Sequence, residues 1–184
     1  MLFFQFHTLL SLFRSYYSLD MRNFLLILSS FTFYLSADLK VSLDQELKTL
    51  MPKVIEWRHD IHEHPELGNR EFRTSNKVKV HLEGLGIKVE SGIAYTGVVG
   101  LIEGGKPGPT IALRADMDAL PVEEKTGLPF ASKVRTKYLG NDVGVMHACG
   151  HDAHVAILMG VAEFLAKNKS CLLYTSPSPR DTIR

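Results

Sequence analysis

The side chains best suited to chemistry lie together in residues 146–154, which read MHACGHDAH. A thiol and an imidazole, those of Cys149 and His151, are two residues apart, and Gly150 between them permits a tight loop. Both groups are typical ligands of transition metals, so the two can face one ion. Three histidines, one cysteine and one aspartate within eight residues favour a metal-binding or catalytic role over a purely structural one.

Asp152 and His154 extend this segment. They are close enough in sequence to be further metal ligands, or to orient the ligands through hydrogen bonds. Two competing interpretations concern the thiol: Cys149 could be the nucleophile of a Cys/His pair, or a redox-active thiol. A base only two residues from its nucleophile is an awkward geometry, which makes the nucleophile pair the weaker interpretation.

A second segment, Arg114–Pro121, carries two carboxylates at alternate positions, Asp116 and Asp118. On an extended segment, alternate side chains point to the same side. Repulsion between the carboxylates is relieved by a cation, which is either a metal ion or the guanidinium of Arg114. A salt-bridged strand end is the structural alternative, and the presence of the first segment favours the functional interpretation.

Hydrophobic periodicity predicts the elements that position these segments. Apolar residues recur at steps of three and four over Ser42–His62, which predicts an amphipathic helix. We expect further helices over Thr74–Leu85 and Ala153–Lys167, the last buried because it is apolar nearly all round. A short strand is expected at Ile87–Glu90. Two more strands, Gly97–Ile102 and Thr110–Arg114, are expected to form a hairpin around the Gly/Pro turn 104–109. Helices and buried strands in this order predict a layered α/β domain.

Composition sets the broad class of protein. The 184 residues are enough for one domain with a core, and 45% are hydrophobic and 22% charged. A formal net charge of +1 gives no support for a nucleic acid or an anionic membrane as partner. Two cysteines, one of them in the C-terminal tail, do not provide a disulfide framework.

Both ends of the sequence have unusual composition. Residues 21–37 have a basic start, an apolar run and a small-residue cut site, which predicts a signal peptide and a secretory location: outside the cell, in the ER lumen or in a bacterial periplasm. An uncleaved anchor or a buried strand is the alternative. Residues 1–20 are interpreted as an upstream extension with Met21 as the better start; the alternative is that they lengthen an anchor. Residues 171–184 change abruptly to a Ser/Pro-rich string that resembles a translated sequencing adapter, so we expect an artefactual tail; a flexible linker is the alternative. The domain proper is then 38–170.

Four segments together resemble the amidohydrolases of the hippurate hydrolase and N-acyl-amino-acid deacylase type, whose plant members release indole-acetic acid from amino-acid conjugates. They are 57–67 (WRHDIHEHPEL), 96–100 (TGVVG), 113–121 (LRADMDALP) and 146–154. The resemblance implies a metallopeptidase-like α/β catalytic domain, truncated here before an inserted lid domain through which the family could form homo-oligomers.

The resemblance also implies roles for individual residues. Cys149 and His151 match two metal ligands, and Asp118 matches the catalytic-site aspartate that orients a ligating imidazole. Asp116 stands where related dinuclear peptidases carry a histidine ligand, so its role is left open, as are those of Asp152 and His154. The family's Glu-Glu pair, which supplies the general base and a ligand, and two later histidines are not found. Glu123-Glu124 is interpreted as solvated surface.

The activity implied is hydrolysis of the amide bond of N-acyl amino acids by a water activated by two divalent ions. A thiolate with imidazoles suits zinc, cobalt or nickel, carboxylates also admit manganese, and the plant relatives suggest manganese. The partner implied is a small-molecule substrate whose binding residues are unknown, with no nucleic acid and no membrane after signal cleavage. The alternatives are a non-catalytic metal-binding fragment and a thiol-dependent hydrolase that uses Cys149.

Overall fold

The structure, a computed structural model, describes residues 43–174, without the side chains of 173 and 174. It divides into two units after Thr49. The described part of the first unit, residues 43–49, is helical, and the site lies in the second. The expected upstream extension, signal peptide and most of the expected tail lie outside the described residues. Within 43–174, no helix is long and apolar enough to cross a membrane.

Three helices dominate the second unit. Helix α1 covers residues 50–63, α2 covers Phe72–Gly84, and α3 covers His151–Lys167. All three agree closely with the predicted helices. The expectation that the last helix is buried all round was too strong, since Ile157 is exposed while Val155 and Met159 are buried.

The strands form three two-stranded sheets within the described residues. Strands β1 and β2, Lys88–Ile93 and Gly97–Leu101, are antiparallel, as are β4 and β5, Arg135–Tyr138 and Asn141–Gly144. The third sheet pairs β3 (Lys106–Pro107) in parallel with β6 (Leu173–Tyr174), which follows a short 3₁₀ turn at Lys169–Cys171. The described residues contain both helices and strands, with β1 to β5 between α2 and α3, so the α/β class is confirmed.

The predicted hairpin was wrong in its pairing. Strand β2 pairs with β1, with Lys88 opposite Leu101, rather than with Thr110–Arg114, which forms no strand. The connecting turn uses positive φ at Ala94 and Tyr95, residue types that give no turn signal in the sequence. A Cβ on Gly97 would lie 2.5 Å from the carbonyl oxygen of Ile93, so this turn depends on glycine there.

The main core joins the three helices to the segment that leads into the site. Ile61 of α1 packs with Val155 and Met159 of α3, and Ala115 and Met117 lie against this cluster. Alternate residues of the 115–118 segment therefore face the core. Asp116 and Asp118, at the intervening positions, are left on its other side.

A second core cluster fixes the end of the same segment. Leu67, Ala119 and Val145 are buried together. The Ala119 N–H donates to the Glu66 carbonyl at 2.7 Å. Segment 113–121 is thus held between the residues after α1 and those before the 147–150 loop.

Candidate metal centre

The two chemically promising segments are joined directly by backbone hydrogen bonds. Leu120 and Met146 form an antiparallel bridge, each N–H donating to the other's carbonyl at 3.0 Å. This bridge places Asp118 beside the loop that leads into α3. Asp118 and His151, which are 33 positions apart in sequence, thereby come into contact.

His151, the first residue of α3, is oriented by Asp118. Its Nδ1 lies 3.0 Å from the Asp118 carbonyl oxygen and 3.0 Å from Asp118 Oδ1. A backbone carbonyl can only accept, so Nδ1 must carry the hydrogen. In the neutral ring the lone pair is then on Nε2, which is the state a metal ligand needs.

Cys149 precedes this histidine on the exposed side of the loop. Its thiol is free and exposed. Gly150, the N-cap of α3, has φ +85°, a left-handed conformation that favours glycine. Because Gly150 adopts this conformation, the chain turns between Cys149 and His151, and α3 begins at His151.

Asp116 forms a salt bridge with Arg114, which was the structural alternative to a metal-binding role. Its Oδ1 accepts hydrogen bonds from Arg114 Nε at 2.9 Å and Nη2 at 2.7 Å. The Arg114 guanidinium, with a smaller contribution from the nearby His151 and His154, holds the pKa of Asp116 below its ordinary value. The His154 ring is exposed and lies 5.7 Å from the His151 ring, centroid to centroid.

Asp152 points away from the loop surface into a buried network. Only 1% of its side chain is exposed, and Oδ2 accepts from Arg58 Nε at 3.2 Å and faces His62 Nδ1 at 2.8 Å. Burial alone would raise the pKa of Asp152, but hydrogen bonds from His62, the Ala153 N–H and Arg58 together hold it below its ordinary value.

Glu124 is the other end of this network, so its interpretation as solvated surface was wrong. Its side chain is 0% exposed, and Oε1 lies 3.1 Å from His62 Nε2. Its carboxylate also accepts from the Ser132 N–H at 2.6 Å and from the Thr126 hydroxyl at 2.5 Å. Burial tends to raise the pKa of Glu124, but these hydrogen bonds lower it overall.

Sequence reasoning did not single out His62. It lies in the 57–67 segment that carries the resemblance, but nothing near it in sequence indicates two carboxylates 62 and 90 residues away. A polar residue on the apolar face of the predicted helix, next to Ile61, was the only available signal.

His147 is a second buried histidine beside the loop. Neither ring nitrogen has a hydrogen-bond partner among the described residues, and its ring centroid lies 6.4 Å from that of His62. Burial lowers the pKa of His147 to about 4. The residue is therefore neutral near pH 7 in the folded protein.

Two side chains at the start of α3 have donor atoms of the kind that transition metals bind. The Cys149 sulfur, which binds a metal as the thiolate, and Nε2 of His151 suit a borderline-soft divalent ion. Within residues 43–174, no three His, Cys, Asp or Glu side chains form a cluster that could hold a metal by themselves. The described residues thus fit part of a metal site.

Comparison with known proteins identifies the same region. Residues 112–175 match the model of the family described as Peptidase family M20/M25/M40. The chain is 51% identical over 136 residues to thermostable carboxypeptidase 1 of Saccharolobus solfataricus, covering 73% of this chain and 33% of that protein. It is 47% identical over 126 residues to N-acetyl-L-cysteine deacetylase of Bacillus subtilis, covering 68% of this chain and 28% of the deacetylase.

A solved structure has a similar fold. The YXEP protein of Bacillus subtilis, described as a dinuclear metal-binding peptidase from the M20 family, superposes with a TM-score of 0.61 at 43% identity. The match covers 69% of this chain and 34% of that one. The chain spans about a third of the length of the curated relatives and structures it matches.

Proposed function

We propose, since this chain belongs to peptidase family M20/M25/M40, that the protein it is part of hydrolyses the amide bond of N-acyl amino acids at a dinuclear metal centre. The observation that carries the proposal is the Asp118–His151 pair at the start of α3, next to the exposed thiol of Cys149. An imidazole held by a carboxylate, with its other nitrogen free, is the usual preparation of a histidine for a metal ion.

Three residues have distinct roles in the proposed metal centre. Cys149 and His151 each supply one donor atom, and Asp118 keeps the His151 proton on Nδ1. Divalent ions held there would lower the pKa of a bound water and polarise the scissile carbonyl. Manganese and zinc are the proposed ions, with cobalt and nickel as further candidates. Asp116, Asp152 and His154 are not assigned as ligands, since the first and second already bond to Arg114, His62 and Arg58.

The general base and the remaining ligands are proposed to lie in sequence that this chain does not contain. Two donors cannot close a dinuclear site, and the relatives are about three times as long as the matched region. The chain of 184 residues alone is therefore proposed to be inactive. The signal peptide, and with it the secretory location, is proposed for residues 21–37, which lie outside the described part. The homo-oligomer is proposed to form through the lid domain.

Chelation tests the proposal on the full-length protein. Hippurate and N-acetyl amino acids are supplied as substrates, and the released amino acid is measured before and after exhaustive dialysis against EDTA. The proposal expects turnover to disappear and to return with Mn²⁺ or Zn²⁺. The thiol-dependent alternative expects activity to survive chelation and to be lost in Cys149→Ser with metal content unchanged.

A second candidate substrate class is favoured by the 51% identity to a carboxypeptidase. The same assay with N-blocked dipeptides that have a free C-terminus separates the two. Higher kcat/KM for the dipeptides than for N-acetyl amino acids would replace deacylation with carboxypeptidase activity and leave the metal mechanism intact.

A further inference from the structure

A buried polar network connects α1, the 124–132 loop and the first turn of α3. It consists of His62, Glu124, Asp152 and Arg58, and is called the His62 network below. His62 is at its centre, with one ring nitrogen 2.8 Å from Asp152 Oδ2 and the other 3.1 Å from Glu124 Oε1. The side chains of His62, Asp152 and Glu124 are 5%, 1% and 0% exposed.

The network is closed by hydrogen bonds between its members. The two ring nitrogens of His62 face one carboxylate oxygen each, that of Asp152 and that of Glu124. Arg58 Nε donates to the same Asp152 oxygen at 3.2 Å. Buried carboxylates of this kind are tolerated only when they are paired and hydrogen-bonded in this way.

The network acts on the residue next to a metal ligand. Asp152 follows His151 in the first turn of α3, and its carboxylate also accepts from the Ala153 N–H. Asp118 holds the His151 ring from one side. His62 and Arg58 hold Asp152 from the interior. The backbone of residues 151–152 is thus fixed from two directions. The preceding residue, Gly150, has no side chain and so adds no side-chain contact that would hold the loop.

We propose that His62 is a positioning residue for the metal centre: by holding Asp152, it fixes the start of α3 so that the His151 ring stays on Asp118 with Nε2 free. This inference deepens the proposed function and rests on His151 being a metal ligand. It assigns His62 no contact with substrate or metal. Its effect passes through the backbone of residues 151–152.

The test compares His62 of α1 with His64, the residue that follows the end of this helix, in the full-length protein. His62→Gln keeps a polar side chain of similar length but places an amide oxygen against one of the carboxylates. His64→Gln is the matched control, since His64 is exposed and faces the Asp60 carbonyl at 2.9 Å. Imidazole ¹⁵N NMR reports the tautomer of His151 without metal, and a Zn²⁺ titration then gives the dissociation constant at Cys149 and His151.

The proposal expects His62→Gln to lower the population of the Nδ1–H tautomer of His151 and to raise the Zn²⁺ dissociation constant about tenfold, the low end for residues that support a metal ligand. His64→Gln is expected to change neither. A folded His62→Gln protein with the wild-type tautomer and the wild-type dissociation constant would overturn the proposal, because a merely structural role lowers the melting temperature alone.

A second variant covers the case in which His62→Gln does not fold. Arg58 is 44% exposed and bonds to Asp152 from the rim of the network, so Arg58→Met removes one support and leaves His62 in place. The expected rise in the Zn²⁺ dissociation constant is about threefold, as for the loss of one hydrogen bond. An unchanged constant here also contradicts the proposal. Both readouts are independent of turnover, so their failure is distinct from a failure of the proposed hydrolase activity.

Discussion

His151 and Asp118 are held together twice, through the Asp118 side chain and through its backbone. The Nδ1 of His151 lies 3.0 Å from Oδ1 and 3.0 Å from the carbonyl oxygen of the same residue. The backbone contact orients the ring even without the carboxylate. The carboxylate adds negative charge behind the ring, which raises the basicity of Nε2. Orientation and basicity can therefore be separated by substitution.

Asp118→Asn should weaken metal binding without releasing the ring. The amide oxygen and the backbone carbonyl still accept from Nδ1, but the charge is lost. We expect the Zn²⁺ dissociation constant of the full-length protein to rise about 10- to 100-fold, measured by competition with a chromophoric chelator. Asp142→Asn is the control, since Asp142 is exposed and bonds to Arg135 in the β4–β5 hairpin. Equal loss in both variants would contradict a special role for Asp118.

His147 should make the metal-free chain sensitive to mild acid. Its pKa is lowered by burial to about 4 in the folded state, against about 6.5 in the unfolded state. Between those values the unfolded state binds more protons, so stability is fully present above pH 6.5 and falls as the pH falls toward 4. The shift corresponds to about 3 kcal/mol over that window.

The matching measurement is urea unfolding of the wild type and of His147→Met from pH 7 to pH 4. Other groups, such as His81, are present in both proteins, so the difference between the two curves isolates His147. We expect the difference in unfolding free energy to shift steadily in favour of His147→Met as the pH falls. Parallel curves would show that His147 is not neutral in the folded chain.

The sequence predicted the helices and the chemical segments because both depend on local patterns. The period of apolar residues located α1, α2 and α3, and the spacing of Cys149 and His151 marked the loop before α3. The hairpin was predicted wrongly since turn type was judged from Gly and Pro. The real turn instead uses positive φ at Ala94 and Tyr95.

The His62 network could not be predicted because its contacts are long-range. Glu124 follows another glutamate in a polar stretch, and local composition indicates surface. Its burial comes from His62 and from the Ser132 N–H, which only the folded chain brings near. The sequence marked the two segments that we propose to bind metal, whereas the supports behind them required the structure.

Gly160 allows close approach of α1 and α3. A Cβ at this position would lie 2.7 Å from Val54 Cγ2, at the contact between the two helices. We expect Gly160→Ala to lower the free energy of unfolding by about 1–3 kcal/mol, as for overpacking of a core. The additional change Val54→Ala should recover part of this loss.

Gly84→Ala is the control, since nothing lies within 4 Å of its would-be Cβ. A gain in stability of up to about 1 kcal/mol is expected for this variant. Thermal or urea unfolding measures all four proteins, and equal effects at both glycines would contradict the packing argument.

Gly150 should be required for its backbone conformation rather than for space. Its φ is +85°, and nothing lies within 4 Å of a would-be Cβ. Gly150→Ala should therefore cost about 1–2 kcal/mol of stability through backbone strain alone. Gly150→Asn should cost less, since asparagine adopts the left-handed region more readily.

The same order, glycine then asparagine then alanine, is expected for Zn²⁺ affinity at Cys149 and His151, because relief of the strain moves the two donors apart. Unfolding curves and Zn²⁺ titrations of the three proteins check both orders. Alanine equal to asparagine in both measurements would show that the loop tolerates another path into α3.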